Sequence, residues 1–327
     1  MNNLKSAFIK QFFTPLFLVN KNVFSNTILM FHGVTEKSSP FNSRHQPKKD
    51  FIKHLQFLTK YCHVISLEDY FNQKFIKGKI NIALTFDDGY WNNYSIAKPL
   101  LEEFNLPAHF YITGINENNN LNNPIPPILW ADFIEIAAKL KLIPNKNEYV
   151  DLELVNQAYI DKKTGKSIHH FIKNIKPEFS VKKDLYNLFS EDQQKLIFNQ
   201  PFEYWKLMNE KEIISTANSK LISVGSHGYS HNNIGKLSVN DMNQEISNSK
   251  NYLENLTQKP IDSIAYPDGS YSKESKEYCK EIGLKYQLAT DNYIFEEDKI
   301  DTRILNRSGI YDVGHFNNQL YNALKKK

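Results

Sequence analysis

The segment IALTFDDG, residues 82–89, decides the fold class of this chain because its short apolar run ends in two acids and a glycine. An apolar run of this length that a turn signal closes is typical of a buried strand. Comparable apolar runs occupy residues 27–31, 109–113, 221–224, 264–266 and 286–289, and helical spacing marks residues 51–61, 94–104, 239–256 and 272–281. Strands that alternate with helices predict parallel βαβ units, and therefore an α/β fold with a wound sheet or barrel.

The composition describes a globular chain of ordinary enzyme size. Its 327 residues are 41% hydrophobic and 23% charged, which suffices for one large α/β domain or two smaller ones. Forty Lys and Arg residues against 36 Asp and Glu give a net charge of +4, and the basic tail at 325–327 is too short to support nucleic-acid binding. Cys62 and Cys279 form no CxxC pair, which excludes a zinc ribbon or a disulfide scaffold.

The N-terminal segment 8–19 is densely apolar, but Lys10, Gln11 and Pro15 interrupt it, and no A-x-A cleavage pattern follows. We interpret it as an amphipathic packing segment, with a degenerate signal or a peripheral membrane contact as the alternative. The chain has no stretch near the roughly 20 apolar residues that a membrane span needs. We therefore expect no integral membrane span.

One region breaks the alternation of strands and helices. At about residues 117–205, an Asn- and Pro-rich loop leads to a helix near Trp130 and then to a charged, largely helical run with no clear strand. We predict a largely helical insertion that packs on or caps the barrel, within a single domain that spans residues 1–327. Its Trp130 and Trp205 would help to shape the cleft.

Two acids and two histidines carry the first chemical signals. Asp87 and Asp88 follow an apolar strand directly, at the end where parallel α/β sheets build active sites. His227 and His231 are four residues apart after the run 221–224, a spacing that zinc sites use. A surface turn and a pair of exposed histidines are the respective alternatives. Together, two imidazoles and one carboxylate would form a catalytic zinc set, with the second Asp as the general base.

Two further candidates lie at the ends of predicted strands. In IAYPDG, residues 264–269, backbone N–H groups of the turn would supply an oxyanion hole. His32 ends the first strand, where it would protonate a leaving group. The alternatives are an ordinary turn and a satisfied core histidine.

In chain order, these motifs resemble those of the polysaccharide deacetylases of the NodB-homology class, carbohydrate esterase family 4. TFDDG at 85–89 and SHGYSH at 226–231 match two motifs of that family, and the resemblance covers roughly residues 27–115 and 205–310. It implies a distorted (β/α)7-type barrel with fewer strands than the full eight. It also implies Asp87 as the catalytic base, and a divalent metal, most often Zn²⁺, bound by three ligands: Asp88, His227 and His231.

The chain departs from the family pattern at two motifs. Ala265 stands where the family's R-x-P-Y motif has an arginine that steadies the base, as in the A-Y-P-x-G variant of surface-polysaccharide deacetylases, so we expect Arg303 or Arg307 to substitute. The late L-x-H motif that carries the general acid is not found. In the similar branch of poly-N-acetylglucosamine deacetylases, whose motifs are circularly permuted, the acid lies near the N-terminus. This favours His32 over His315.

The resemblance implies hydrolysis of an N-acetyl group on an aminosugar of a cell-surface polysaccharide or its precursor. The partner is then an N-acetylated saccharide. Because the sequence shows no clear export signal, we expect a cytoplasmic or membrane-peripheral location. The oxyanion would lie near Tyr266, Pro267 and Asp268. Several aromatic side chains near the motif ends would stack on sugar rings or serve only in packing: Tyr90, Trp91, Tyr229 and Tyr266.

Two other functions stay open. Related barrels host hydrolases of small cyclic amides or ureides, some of which use no metal; the complete Asp-His-His set speaks against this function. A catalytically silent glycan-binding protein is suggested by Ala265 and by the missing late histidine. The glycan itself, and the choice between an N-acetyl and an O-acetyl group, are not predicted.

Overall fold

The computed structural model describes residues 26–115, 128–174, 184–290, 294–313 and 316–325. The apolar segment 8–19 and His315 lie outside these residues. Across the described ranges, every helix is too short or too polar to cross a membrane.

The predicted apolar runs form strands, and all six lie in one curled parallel sheet. This sheet confirms the expected distorted (β/α) barrel. In chain order, the strands are β1 (Thr27–Phe31), β2 (Gly33–Thr35), β3 (His45–Pro47), β4 (His63–Val64), β5 (Asn81–Phe86), β6 (Ala108–Ile112), β7 (Leu152–Val155), β8 (Ala158–Asp161), β9 (Lys166–Ser167), β10 (Ile222–Ser226), β11 (Ser263–Ala265), β12 (Tyr286–Leu288), β13 (Ile304–Leu305) and β14 (Ser308–Gly309).

The order of the strands in the main sheet brings distant segments to one rim. The order is β13-β12-β11-β10-β6-β5-β1-β14, with β4 paired to β5. All these pairs are parallel, so the residues that follow the strands gather at the same end of the barrel. β13 and β14 lie at opposite ends of this order, yet only Asn306 and Arg307 separate them in the chain. The chain therefore crosses the gap between the two edges of the sheet.

Amphipathic helices cover the outside of the sheet, as their spacing predicts. Helix Lys48–Tyr61 buries Phe51, Leu55 and Leu58, which are four and three residues apart and so share one helical face. The described helices of five or more residues are Lys48–Tyr61, Leu67–Phe71, Lys98–Glu103, Trp130–Lys139, Ile168–Asn174, Glu191–Phe198, Glu210–Ala217, Val239–Thr257, Lys273–Glu281 and Phe316–Leu324, and a π-helical turn, Asn93–Ala97, precedes Lys98.

The insertion is less helical than the sequence predicts. Its described residues form the α-helices Trp130–Lys139, Ile168–Asn174 and Glu191–Phe198, but also an antiparallel sheet of β7, β8 and β9, so the prediction of a run without strands was wrong. Asn156 and Gln157 join β7 to β8, and both have positive φ, 48° and 65°, as a two-residue hairpin turn requires. The insertion has its own apolar core, in which Trp130 and Trp205 are buried. Both tryptophans therefore stabilise the insertion itself.

Candidate active site

Asp88, His227 and His231 converge at the rim where the parallel strands end. Each offers one ligand atom, and these atoms all lie within 4.8 Å of one another. The Asp88 Oδ1 is 3.3 Å from the His227 Nε2 and 3.2 Å from the His231 Nε2. The Asp88 Oδ2 is buried and has no hydrogen-bond partner within the described part of the chain. A buried carboxylate oxygen without a partner is costly, and a cation bound at this point would satisfy it.

The tautomer of His227 also fits a metal site. Its Nδ1 lies 2.8 Å from the carbonyl oxygen of Ala265. A carbonyl oxygen only accepts, so the Nδ1 carries a proton, and the Nε2 is the ring nitrogen that is left to bind a metal. Burial lowers the pKa of His227, but the carboxylates of Asp87 and Asp88 outweigh it and hold this pKa above its ordinary value. Two imidazoles and one carboxylate are a set that binds a divalent cation such as zinc.

The backbone around the ligands adopts conformations that favour glycine. Asp88 has φ 74° and His231 has φ 54°, and non-glycine residues persist there only when the surrounding structure holds them. Glu245 contributes to this at the histidine loop, because its Oε1 accepts the backbone N–H of Ser230 at 2.8 Å and of Asn232 at 3.1 Å. Sequence reasoning missed Glu245. An acid on the buried face of the amphipathic helix Val239–Thr257 was the available signal.

Arg307 lies beside Asp87. It takes the place of the arginine of the family's motif, which is Ala265 in this chain. Its Nη1 and Nη2 donate to the Asp87 Oδ1 and Oδ2 at 2.6 and 2.8 Å, and its Nε donates to the carbonyl of Ala289 at 3.0 Å. Burial by itself would raise the pKa of Asp87, but the charges of Arg307 and His227 outweigh it and hold this pKa below its ordinary value. Asp87 is therefore ionised at neutral pH, the state in which it accepts a proton.

Replacing Arg307 by Met is expected to destabilise the fold by about 3–5 kcal/mol, since the buried Asp87 carboxylate loses its charge partner. The change also raises the pKa of Asp87, because burial then meets less opposition. The acidic limb of the activity–pH profile should consequently move to higher pH. Chemical unfolding and a pH–rate profile measure the two effects.

Arg303, the other arginine that the sequence suggested, provides the matched control. It lies away from the site and pairs with Asp301 at 2.8 Å and with Glu277 at 2.9 Å. Such partly exposed pairs contribute about 0–1 kcal/mol, so Arg303→Met should change stability little and leave the pH profile in place. Equal effects of the two substitutions would show that the ion pair of Arg307 with Asp87 has no special importance.

His32 lies at the same rim, directly after β1. Its Nδ1 is buried and has no hydrogen-bond partner among the residues described, and its ring centroid is 6.1 Å from that of Tyr311. Burial lowers the pKa of His32 to about 4, although the nearby charge of Asp88 opposes this shift. The imidazole is therefore neutral at neutral pH. The protonated form that the sequence-based hypothesis requires is not the resting state, and the alternative acid, His315, lies outside the described residues.

Two of the three residues predicted to form the oxyanion hole, Tyr266 and Pro267, have no backbone N–H available for it. The backbone N–H of Tyr266 donates to the carbonyl of Leu288 at 3.1 Å, and Pro267 has no N–H to donate. The prediction now depends on Asp268, which has φ 54° within the short turn after β11. Tyr266 is also fully buried, with its hydroxyl 2.7 Å from the Gln287 Oε1, which favours packing over sugar stacking, the two roles that the sequence left open for it.

For Tyr90, too, burial favours packing over a sugar contact. It is fully buried, and its hydroxyl donates to the Asp132 Oδ2 at 2.6 Å. Trp91 and Tyr229 are half-buried, so they stay candidates for stacking. Sequence reasoning missed Asp132, a buried acid of the insertion that also accepts from Arg44 at 2.8 Å. Burial raises the pKa of Asp132 to about 7, although the Arg44 guanidinium opposes the shift.

A sequence profile for the family described as "Polysaccharide deacetylase" matches two segments of the chain, residues 76–141 and 180–287. Together these segments make up just over half of the sequence and contain Asp87, Asp88, His227 and His231. The unmatched stretch between them falls within the insertion. Among curated protein sequences, none matches this chain.

Several solved structures share the fold. The Streptococcus pyogenes deacetylase PplD in complex with acetate is 16% identical, with a TM-score of 0.57, and the match covers 93% of this chain and 100% of that one. A de-N-acetylase from Aggregatibacter actinomycetemcomitans is 15% identical, with a TM-score of 0.55 and 90% and 99% coverage. IcaB from Ammonifex degensii is 13% identical, with a TM-score of 0.52 and 91% and 96% coverage. At these identities, the likeness shows the fold.

Proposed function

This chain belongs to the polysaccharide deacetylase family, and from that premise we propose that it removes N-acetyl groups from an aminosugar of a cell-surface polysaccharide or of its precursor. The observation that carries the proposal is the convergence of three ligand atoms within 4.8 Å, beside an ionised carboxylate that is not one of them. In this proposal Asp88, His227 and His231 bind a divalent metal, which we take to be zinc. When bound, such an ion polarises a carbonyl oxygen and lowers the pKa of water toward ~7.

Asp87 is the general base of the proposed reaction. Its carboxylate oxygen Oδ2 lies 3.9 Å from the His227 Nε2. Asp87 is therefore next to the proposed metal ligands but is not one of them. Arg307 holds both carboxylate oxygens and keeps the carboxyl ionised and fixed in orientation. Asp87 then removes a proton from the water that attacks the acetyl carbonyl.

His32 is the proposed donor of a proton to the departing amine nitrogen. Because its pKa is about 4, the imidazole is neutral before the reaction and has no extra proton to give. We propose that it receives the proton that Asp87 has taken from the attacking water and passes it to the nitrogen. The products would be acetate and a sugar with a free amine, and proton transfer makes the amine a better leaving group.

The test is the release of acetate from a panel of N-acetylated and O-acetylated saccharides by the purified, zinc-loaded chain. We expect acetate from at least one N-acetylated sugar and a matching gain of free amine. A protein that binds these saccharides but releases no acetate would instead be a silent glycan-binding protein. Activity only on small cyclic amides would favour the other alternative. In line with an aminosugar precursor as substrate, we also propose a cytoplasmic or membrane-peripheral location.

A further inference from the structure

The insertion is a packed body that adjoins the catalytic rim. Its core includes Phe133, Ile172 and Phe189, which are buried against one another. A segment with its own packed core is more rigid than a surface loop, because many buried contacts hold its shape. The places where it is attached to the barrel therefore show from which sides a substrate can reach Asp88, His227 and His231.

On one side, the insertion binds the segment that precedes β3 and the segment that follows β5. The carboxylate of Asp132 accepts three hydrogen bonds from the barrel: from the Tyr90 hydroxyl at 2.6 Å, from the Asn42 Nδ2 at 2.8 Å and from the Arg44 Nη2 at 2.8 Å. Tyr90 is two residues from the ligand Asp88 in the chain. This flank of the insertion is therefore joined to the loop that carries the carboxylate ligand.

The last part of the insertion strengthens the same flank. The carbonyl oxygen of Glu203 accepts from the Asn92 Nδ2 at 2.7 Å, and the Glu203 Oε2 accepts from the backbone N–H of Glu36 at 2.9 Å. Both partners belong to the barrel. The insertion thus contacts the barrel at several successive points along this side.

On the other side, the insertion binds the loops that follow β10 and β11. The ammonium group of Lys173 forms an ion pair with Asp268, and the carbonyl oxygen of Lys173 accepts from the Asn233 Nδ2 at 2.9 Å. Asn233 is two residues from the ligand His231. The insertion thus contacts the loops that follow β5, β10 and β11. In the sheet, β6 lies between β5 and β10, so these contacts span four neighbouring strands.

The catalytic groups are almost completely covered by the surrounding residues. The side chain of His231 is 12% exposed, whereas those of Asp87, Asp88 and His227 are exposed by 3% or less. A polymer that reacts at an interior residue must extend from the site in two directions. The insertion occupies one of these directions, and a chain end or a short saccharide needs only the other.

We propose that the insertion closes one end of the cleft, so that this enzyme deacetylates a terminal aminosugar or a short saccharide rather than interior residues of a polymer. The inference rests on the proposed function. Tyr90, Asp132, Lys173 and Asn233 are positioning residues in it, because they hold the insertion across the rim without touching the reacting atoms.

The experiment uses a short and a long oligomer of β-linked N-acetylglucosamine with the zinc-loaded full chain, and locates each free amine by fragmentation mass spectrometry. We expect the amine at one end of the oligomer, and a rate per molecule that does not grow with chain length. Amines spread over interior positions, with a rate that grows with length, would overturn this inference and leave the deacetylase function intact. No acetate from any N-acetylated saccharide would overturn both.

Lys173→Ala removes the ion pair with Asp268 but keeps the backbone contact with Asn233, and the weaker attachment should raise the share of interior amines severalfold. The matched control is Lys195→Ala, which removes a lysine of the same insertion whose partner, Asp192, is largely exposed. The control should keep the terminal pattern. An unchanged pattern in Lys173→Ala, with wild-type folding shown by circular dichroism, would contradict the role of this flank.

Discussion

Asp87→Asn is expected to lower the rate of acetate release by about 10²- to 10⁴-fold, the usual contribution of general acid–base catalysis. Asparagine keeps the size of the side chain but cannot accept the proton of the attacking water. The three proposed metal ligands are untouched, so zinc should still bind at close to one ion per chain. Steady-state acetate release and zinc content measure the two quantities separately.

Loss of the ion pair with Arg307 also destabilises the variant, so its folding must be measured beside its activity. Asp69→Asn is the matched control, because Asp69 forms an exposed pair with Lys74 at 2.9 Å far from the site. The control should keep full activity. A folded, zinc-loaded Asp87→Asn protein with wild-type rates would remove Asp87 from the mechanism.

Removal of the metal by a chelator is expected to reduce acetate release to background, and added zinc should restore it. The reason is that the base alone cannot polarise the acetyl carbonyl, which is the task of the ion. His231→Ala should weaken zinc binding by at least about 10²-fold, since even groups that only orient a ligand contribute about 10–100-fold in affinity. Equilibrium dialysis with zinc measures the affinity directly.

His170→Ala is the control for this substitution, because His170 is an exposed histidine of the insertion. It should bind zinc like the wild type. The pH dependence adds an independent check: the pKa of His227 is raised, so protons compete with zinc, and affinity should fall as the pH is lowered through that pKa. Full activity in the presence of chelator, with no zinc bound, would contradict a metal-dependent mechanism.

Much of the fold follows from local pattern. The strand that ends before Asp87 and the strand that ends before His227 lie where their apolar runs predict, to within one or two residues. Periodicity is a property of neighbouring residues, which is why it can be read from a chain without knowledge of its tertiary contacts. The hairpin of the insertion escaped this reasoning because Asn156 and Gln157 form its turn without the glycine that usually marks one.

The chain alone also indicates the ligand chemistry, because two acids and two histidines follow predicted strands, and the ends of parallel strands meet at one rim. Only the tertiary structure shows that Arg307, and not Arg303, pairs with Asp87. Their sequence surroundings are similar, and only the crossing between β13 and β14 brings Arg307 to Asp87.

Which side chains next to the motifs are buried was also decided by tertiary packing. Tyr90 and Tyr266 stand next to motifs, as sugar contacts often do, but both are buried because the insertion and the neighbouring strands pack on them. Asp132 is more than forty residues from Tyr90 in the chain, and no local pattern links the two. Contacts between distant segments depend on how layers stack and which strands become neighbours, and neighbouring residues in the chain do not encode that arrangement locally.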